Sequence, residues 1–284
     1  MKKILVTGAK GQLGNELKKL SGSLPDFDFS FIDIEDLDLI DDRQVFCFFA
    51  KQQFDYIINC AAYTAVDKAE TEQALARLIN ANVPEILLRA SKEYNPDTKL
   101  IHISTDYVFD GKNYKPYNEN DLTNPINVYG KTKLEGENLI KDFENVIILR
   151  TSWLYSSFGH NFVKTVLRLA DERETLNIVA DQIGTPTYAE DLANAILNII
   201  KKGNFEKGIY HYSNEGVASW YDFAISILEE KKIRKNVVPV KTEDFKTPAK
   251  RPFFSVLDKT KIKNTFNLHI PHWRESLKRC LKEF

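Results

Sequence analysis

The sequence predicts an α/β fold built on a doubly wound parallel sheet, with a smaller C-terminal lobe. Up to Arg150, short apolar runs rich in β-branched residues alternate with longer stretches of helical periodicity. This alternation favours parallel strands joined by right-handed crossover helices. The 284 residues are 43% hydrophobic and 28% charged, which is typical of a globular chain with a large buried core.

Five strands are predicted in this first part of the chain. The run over residues 3–7 is apolar up to Gly8, as expected of a strand that is buried on both faces. The other runs of this kind cover residues 29–32, 56–58, 100–104 and 146–149. Apolar residues at helical spacing predict helices between them, over residues 12–20, 45–49, 72–94 and 128–141.

The alternation becomes less regular after Arg150. Helices are predicted over residues 161–170, 189–200, 220–230 and 273–281, with one strand at 208–212 and a loop at 241–252. We expect residues 1–153 to form the sheet domain, with segments of about 185–215 returning to it, and residues 154–284 to form mainly the smaller lobe.

Composition and charge narrow the class of protein. With 39 Lys+Arg against 40 Asp+Glu, the formal charge is −1. A dedicated binder of nucleic acid or of an anionic membrane needs a basic surplus, so neither partner is expected. The three cysteines show no CxxC spacing, and no apolar window is long enough to span a bilayer. We therefore expect a cytoplasmic protein with reduced thiols.

A glycine-rich turn directly follows the first predicted strand. Gly8, Gly11 and Gly14 form the pattern G-x-x-G-x-x-G ahead of an amphipathic helix. Glycines let the backbone approach a pyrophosphate, and the helix N-terminus offers free N–H groups and a positive dipole. Asp33 lies 22 positions after Gly11, where its carboxylate can accept hydrogen bonds from an adenosine ribose. A tight turn without a ligand is the alternative, but the combination favours a Rossmann-type dinucleotide site.

The spacing of this turn resembles that of the extended short-chain dehydrogenases/reductases. Asp33 favours a cofactor with a free 2′-hydroxyl, hence NADH, whereas Lys10 could meet the 2′-phosphate of NADPH, so we expect both to be used. The small residues of segment 59–64, after the third strand, would let the chain pass close to the nicotinamide. A plain strand end is the alternative interpretation of that segment.

Tyr129 and Lys133 are the candidate catalytic pair. Side chains four apart on a helix share a face, so the phenol and the ammonium can point into one cleft. A tyrosine has a pKa of about 10 in water, and a nearby cation favours its phenolate. In an arbitrary chain, a tyrosine and a lysine at this spacing are usually exposed residues without a catalytic role. Here the pair follows the fourth strand of a chain that opens with a cofactor turn.

Polar residues at the end of the fourth strand are expected to face the same cleft. Open α/β sheets hold their sites at the carboxyl ends of their strands, which is where Thr105, Asp106 and Tyr107 stand. The Thr105 hydroxyl is predicted to polarise a substrate carbonyl, with Asp106 and Tyr107 lining the substrate side. Alternatively, Ser104 and Thr105 only cap the loop.

Longer segments around these residues resemble the dTDP-4-dehydrorhamnose reductases. The matching segments are STDYVFDG at 104–111, PINVYGKTKLEGE at 125–137 and LRTSWLY at 149–155, with further matches at 65–70, 161–162, 181–187 and 251–257. The similarity covers nearly the whole chain, and the combination is more specific than any single motif.

This resemblance implies reduction of the 4-keto group of dTDP-4-dehydro-L-rhamnose to dTDP-L-rhamnose, the last step of dTDP-rhamnose biosynthesis for cell-surface polysaccharide. Tyr129 would donate the proton, Lys133 would lower the pKa of Tyr129 and hold the nicotinamide ribose, and Thr105 would assist at the carbonyl. The expected contacts of NADPH or NADH, besides Tyr129 and Lys133, are Gly8, Gly11, Gln12, Leu13, Asp33, Asp38, Leu39, Ala62, Tyr63 and Thr64. Those of the nucleotide-sugar substrate are Thr105, Asp106, Tyr107 and Trp153.

Several points stay open at this level. Ser104 could replace Thr105 as the hydroxyl partner, and Trp153 could be a core residue instead of a platform for the sugar. The candidates for the substrate pyrophosphate are Lys164, Arg168 and Arg251. Glu190 and Glu283 could hold Mg²⁺ at a subunit contact, but two isolated carboxylates do not predict a metal site. A homodimer is expected from the resemblance alone.

Two other functions remain as alternatives. One is a nucleotide-sugar epimerase or dehydratase on the same fold, although such enzymes commonly need a larger substrate lobe. The other is a non-catalytic regulatory subunit, for which loss of Tyr129 or Lys133 would have been the signal; both are present.

Overall fold

The structure is a computed structural model that describes residues 1–284. Its strands, in chain order, are β1 (Lys2–Thr7), β2 (Phe27–Ile32), β3 (Tyr56–Asn59), β4 (Lys99–Thr105), β5 (Val146–Thr151), β6 (Leu154–Tyr155), β7 (Thr175–Val179), β8 (Ile183–Gly184), β9 (Thr187–Tyr188), β10 (Gly208–His211), β11 (Ala218–Ser219) and β12 (Asn236–Val240).

The α-helices, in chain order, are α1 (Gln12–Ser21), α2 (Asp42–Lys51), α3 (Val66–Ala69), α4 (Gln73–Arg77), α5 (Val83–Tyr94), α6 (Val128–Ile140), α7 (Phe162–Glu172), α8 (Ala189–Lys202), α9 (Trp220–Glu230), α10 (Thr260–Phe266) and α11 (Trp273–Cys280). Single 3₁₀ turns cover Asp106–Val108, Thr242–Asp244 and Leu281–Glu283. None of the helices combines the length and apolar character that crossing a membrane requires.

A six-stranded parallel sheet organises the fold, in the order β10-β5-β4-β3-β1-β2. Successive side chains of a strand point to opposite faces. In β1, accordingly, Ile4 and Val6 pack into a cluster with residues of α1 and α8, and Leu5 packs into another with residues of α2 and α5. The doubly wound parallel sheet predicted from the sequence is confirmed.

Part of the second half of the chain completes this sheet. β10 pairs in parallel with β5, with Gly208 opposite Ile147, and α8 packs against α1. A separate hydrophobic cluster collects residues of α7, α9 and α11, among them Val166, Phe223 and Trp273. The division of the chain at residue 153 into two domains stays a prediction.

The helix predicted over residues 72–94 is confirmed as one continuous helical segment, but a wider turn of π-helix, Leu78–Asn82, lies between α4 and α5. The Val83 N–H donates to the Leu78 carbonyl five residues back. Pro84 has no N–H to continue the regular ladder. The wide turn also places Asn80 where its amide bonds both the N–H and the carbonyl of Tyr63. The π-helical turn thus allows the contact between Asn80 and Tyr63, and hydrophobic periodicity cannot predict such a contact.

The strands β7 and β12 were also missed. They form a two-stranded parallel pair, with Leu176 opposite Val237, and the cluster of α7 and α9 covers it. Strands this short depend on a partner that lies far away in sequence. The remaining short strands contain only two residues each.

Candidate active site

The glycine turn has the geometry of a phosphate cradle. Gly8 adopts a left-handed φ of +64°, and a Cβ there would lie 2.8 Å from the N atom of Ala61. A Cβ at Gly14 would collide with the carbonyl oxygen of Gly8. Gly11 precedes α1 without a side-chain cap, and the first turn of the helix holds no acidic residue. The N–H groups at this helix start therefore suit an anionic ligand, as a dinucleotide requires.

Asp33 lies beside this turn, at the end of β2. Its carboxylate accepts hydrogen bonds from the N–H of Lys10 (2.7 Å) and from the N–H of Ile34 (2.9 Å). The Lys10 ammonium pairs with Glu35 at 2.8 Å. The position of Asp33 fits a contact with the adenosine ribose. Lys10, the cation that could meet a 2′-phosphate, is already paired with Glu35.

The other residues predicted to contact the cofactor line the same edge of the sheet. The Gln12 side chain accepts from Asn161 (3.0 Å), which ties α1 to the start of α7. The Leu13 side chain is buried in the core, so only its backbone is available to a ligand. Asp38 and Leu39 follow β2, where the Asp38 carboxylate accepts from the N–H of Ile40.

The segment after β3 is also held in place. Ala62 and Tyr63 are partly exposed, Thr64 is exposed, and the Tyr63 backbone is fixed by Asn80 at 2.9 and 3.1 Å. The Tyr63 hydroxyl donates to Glu72 (2.7 Å). The start of this segment lies against the glycine turn, since a Cβ at Gly8 would meet the backbone of Cys60 and Ala61.

Tyr129 lies in the first turn of α6. Asn127 caps this helix by accepting from the N–H of Gly130 (2.8 Å). A Cβ at Gly130 would collide with the Tyr107 carbonyl, so glycine allows the helix to lie directly on the segment after β4. The rings of Tyr107 and Tyr129 meet edge to face at 5.7 Å.

The structure brings Thr105 and Tyr129 together. Burial raises the pKa of Tyr129 to about 12, and the nearby Thr105 hydroxyl opposes this rise. The Thr105 hydroxyl also donates to Asp106 (3.0 Å) and accepts from the N–H of Tyr107 (3.2 Å). Thr105 therefore connects the phenol to a buried carboxyl group.

Ser104 is directed elsewhere. Its hydroxyl donates to Glu137, which forms a buried ion pair with Arg150 at 2.6 Å. Neighbouring residues of a strand point to opposite faces, which separates this hydroxyl from that of Thr105. Ser104 belongs to a structural network, and Thr105 is the hydroxyl that meets Tyr129.

The Lys133 side chain is held by contacts with β4. Its side chain is buried, and Nζ donates to the carbonyl of Ile103 (2.6 Å) and lies 3.3 Å from His102 Nε2. Burial lowers the pKa of Lys133 to about 8, against the opposing effect of Glu137. No hydrogen bond joins Lys133 to Tyr129. The lowering of the Tyr129 pKa by this lysine stays a prediction.

Asp106 is a buried carboxyl group with spare capacity for hydrogen bonding. It is 2% exposed, and its Oδ2 has no hydrogen-bond partner. Burial raises its pKa to about 7, although the hydroxyls of Ser255 and Thr105 oppose the rise. Such an atom next to the Thr105–Tyr129 pair is suited to a hydroxyl group of a ligand.

Trp153 belongs to an aromatic stack that the sequence did not reveal. Its indole lies parallel to that of Trp220 with the ring centroids 3.5 Å apart, and Phe162 packs against Trp220 at 4.6 Å. Trp153 has a φ of +47°, a strained value for a bulky residue. One face of the indole is thus covered by protein, so a sugar can meet only the remaining surface.

The three basic candidates for the substrate pyrophosphate are dispersed. Arg251 makes a two-pronged ion pair with Asp67 (2.8 and 3.0 Å) and lies next to Tyr107. Arg168 pairs with Glu172 on the exposed side of α7, and Lys164 lies over the ring of Phe284. Only Arg251 reaches the Thr105–Tyr129 region.

The two carboxylates considered for Mg²⁺ lie close to each other. Glu190 accepts from the ammonium of Lys19 at 2.9 Å, and Glu283 pairs with the same ammonium. Arg279 adds a second positive charge beside Glu190. These carboxylates are neutralised by cations of the chain itself.

Comparisons with known proteins agree along the whole chain. The family model for the RmlD substrate binding domain matches residues 1–284. A dTDP-4-dehydrorhamnose reductase of Aggregatibacter actinomycetemcomitans is 43% identical over 98% of both chains. The crystal structure of a dTDP-4-dehydrorhamnose reductase from Clostridium acetobutylicum has a TM-score of 0.93 at 42% identity, covering 99% of this chain and 98% of the other. The Bacillus anthracis reductase, solved in complex with NADP, has a TM-score of 0.93 at 40% identity and covers 100% and 99%.

Proposed function

This chain belongs to the dTDP-4-dehydrorhamnose reductase family, and on that premise we propose that it reduces the 4-keto group of dTDP-4-dehydro-L-rhamnose to give dTDP-L-rhamnose. The reaction is the last step of dTDP-rhamnose biosynthesis. The observation that carries the proposal is the contact between Thr105 and Tyr129 at the carboxyl end of the sheet, on the same edge as the glycine turn.

The cofactor is NADPH or NADH, which supplies the hydride when bound. Gly8, Gly11 and the N-terminus of α1 would hold its pyrophosphate, and Asp33 would bind the adenosine ribose. Residues 62–64 would lie along its nicotinamide side. The support is the cradle itself, in which a Cβ at Gly8 or Gly14 would fill space that the backbone needs.

Tyr129 acts as the proton donor in this proposal. Its pKa of about 12 keeps the phenol protonated at neutral pH, which is the form that reduction of a ketone requires. The proton moves from the Tyr129 hydroxyl to the 4-keto oxygen. Thr105 orients the phenol and can hydrogen-bond the same oxygen, while Lys133 would hold the nicotinamide ribose.

The sugar is held by the residues that surround this pair. The unpartnered Oδ2 of Asp106 can accept from a sugar hydroxyl, Tyr107 lines the cleft, and the open part of Trp153 can pack on the deoxysugar. Arg251, adjacent to Tyr107, is the basic residue best placed for the substrate pyrophosphate.

The test is a reduction assay with purified protein and dTDP-4-dehydro-L-rhamnose, run side by side with NADPH and NADH. One equivalent of cofactor should be oxidised for each dTDP-L-rhamnose formed, as measured by nicotinamide absorbance and product mass. Turnover of the sugar without net oxidation of the cofactor would instead identify an epimerase or dehydratase. No turnover at all, with cofactor still bound, would identify a non-catalytic subunit.

The wider setting is also part of the proposal. We infer a cytoplasmic enzyme that acts on a nucleotide sugar without nucleic acid, in keeping with the formal charge of −1. Homodimer formation follows from the family resemblance alone. A monomeric mass in light scattering would reject it.

A further inference from the structure

The segment that leads into β8 carries a buried polar residue that the proposed function does not use. Gln182 lies directly before β8 and is 5% exposed. A buried amide needs partners for both its oxygen and its NH₂ group. The Gln182 side chain finds them on α9 and on the 3₁₀ turn Thr242–Asp244. One amide thus connects three segments that are distant in sequence.

The pairing of β8 with β11 brings Gln182 next to the start of α9. The two strands are antiparallel, with Ile183 opposite Ser219. In this register Gln182 stands opposite Trp220, the first residue of α9. The indole Nε1 of Trp220 donates to Oε1 of Gln182 at 3.1 Å. Backbone pairing therefore places the two side chains for this hydrogen bond.

The neighbouring hydrogen bonds determine the orientation of the Gln182 amide. An indole N–H can only donate, so the amide oxygen must face Trp220. The NH₂ group then faces Thr242 and donates to its hydroxyl at 3.1 Å. That hydroxyl donates to the Asp181 carboxylate at 2.6 Å, and the Thr242 N–H donates to the same carboxylate at 2.9 Å. Every donor has an acceptor, so the network holds Trp220 in one orientation.

Trp220 in turn supports Trp153. The two indoles are stacked with their centroids 3.5 Å apart and their planes inclined by 6°. The indole N–H of Trp153 makes no hydrogen bond within the chain, so the orientation of this ring depends on packing. A Cβ at Gly184, two residues after Gln182, would lie 2.6 Å from Cε2 of Trp153. The segment before and within β8 thus both leaves room for the Trp153 indole and orients its stacking partner.

We propose that Gln182 and Trp220 are positioning residues that hold the Trp153 indole as a preformed platform for the deoxysugar of the substrate. The inference rests on the proposed function, in which Trp153 packs on that sugar. Gln182 and Trp220 act through Trp153, and their effect is on the sugar side of the site.

The backbone of Trp153 explains why such support is needed. Its φ of +47° is a strained value for a bulky residue, and strain of this kind persists only where the surroundings enforce it. The Trp153 carbonyl accepts from the Thr187 N–H at 3.1 Å, and the Ser152 hydroxyl donates to the Thr185 carbonyl at 2.8 Å. These bonds fix the backbone, and the stack on Trp220 fixes the ring. A platform that is ordered before the sugar arrives lowers the entropy lost on binding.

The first test reads the positions of the indoles without substrate or cofactor. The chain has three tryptophans, so ¹⁵N-tryptophan labelling gives three indole N–H signals, which Trp153→Phe and Trp220→Phe assign. In Gln182→Met the Trp220 N–H loses its acceptor, and the signals of both Trp220 and Trp153 should move. Trp273 packs on Phe223 and His272 instead, so its signal should stay in place.

Two results of this experiment would overturn the proposal. One is an unmoved Trp220 signal in folded Gln182→Met, and the other is a moved Trp220 signal with an unmoved Trp153 signal. Gln52→Met is the matched control, because Gln52 also donates a partly buried side-chain hydrogen bond, to Ser30 at 3.2 Å, and should leave all three signals unchanged. Failure of the reductase assay would not alter this spectrum, so the two proposals can fail separately.

The second test separates sugar binding from cofactor binding. Gln182→Met should raise the KM for the nucleotide sugar about three- to tenfold, as loss of an aromatic contact does, and leave the dissociation constant of NADPH unchanged. Trp220→Phe keeps a ring on Trp153 but lacks the N–H donor, so it should raise the same KM. Adding Gln182→Met to Trp220→Phe should then bring no further rise, because both changes break one linkage.

A purely structural role predicts a different result. Gln182→Met would then weaken sugar and cofactor binding alike, or its effect on the sugar KM would add in full to that of Trp220→Phe. Either outcome would overturn the proposal. An unchanged sugar KM in folded Trp220→Phe would also overturn it, even if Gln182→Met cannot be purified. Gln52→Met should keep the wild-type KM.

Discussion

Replacing Asp106 with asparagine should stabilise the protein above neutral pH and weaken its catalysis. The pKa of Asp106 rises from 3.8 to about 7 because of burial. At about 1.4 kcal/mol per unit, three units correspond to about 4 kcal/mol held against folding when the group is ionised. An asparagine in the same place leaves N–H donors unpaired at a cost of about 1–3 kcal/mol. The net gain should be about 1–3 kcal/mol.

The sign of the pH dependence follows from the direction of this shift. The native state holds the Asp106 proton between pH 4 and pH 7, where the unfolded state has lost it. The contribution of Asp106 to the free energy of unfolding therefore falls as the pH rises from 4 to 7 and stays low above pH 7. Urea unfolding at several pH values should show Asp106→Asn less stable than wild type near pH 4, more stable above about pH 7, and separated from it by a constant difference at higher pH.

Asp110, in the same segment, is a control because its pKa is shifted in the opposite direction. Burial opposes ionisation of this group too, but hydrogen bonds from the Lys112 N–H and the Tyr117 hydroxyl hold the pKa of Asp110 below its usual value. Asp110→Asn should therefore lose stability at neutral pH, and the difference should shrink in acid. An Asp106→Asn protein that is less stable than wild type at pH 8, or that follows its pH dependence throughout, would refute the argument from burial.

Three further substitutions test the site. Tyr129→Phe should lower turnover at least about a hundredfold, as loss of a general acid does, while cofactor binding by fluorescence titration survives; wild-type turnover would remove Tyr129 as the donor. Lys133→Met should weaken cofactor binding and slow the reaction, and an effect on neither would contradict its proposed role. Gly14→Ala should abolish cofactor binding or lower the melting temperature, because the new methyl collides with the Gly8 carbonyl; an unperturbed protein would show that α1 can shift away from the turn.

The sequence was a good guide to the sheet. The apolar runs at 3–7 and 146–149 correspond to β1 and β5 to within two residues at either end, because a strand buried on both faces must be apolar throughout. The glycine turn and the start of α6 followed from local patterns in the same way. Thr105 and Tyr129 meet as the strand and helix assignments required.

What the sequence missed depends on contacts between distant segments. Asn59 ends the otherwise apolar strand β3, and His102 lies between Ile101 and Ile103 of β4. These buried polar residues were visible in the sequence but were not interpreted. The stacking of Trp153 on Trp220 could not be predicted in this way, because nothing in the residue pattern of α9 indicates it. The π-helical turn after α4 is similarly decided by the contact of Asn80 with Tyr63.

The sequence by itself determined the alternation of strands and helices up to Arg150, the glycine turn and the candidate residues for the site. These depend on periodicity and on neighbours a few residues apart. The tertiary structure alone decided that Lys133 contacts β4, that Ser104 donates to Glu137, and that burial raises the pKa of Asp106 and of Tyr129. Burial and the orientation of hydrogen bonds set those properties, and both arise only when segments far apart in the chain are packed together.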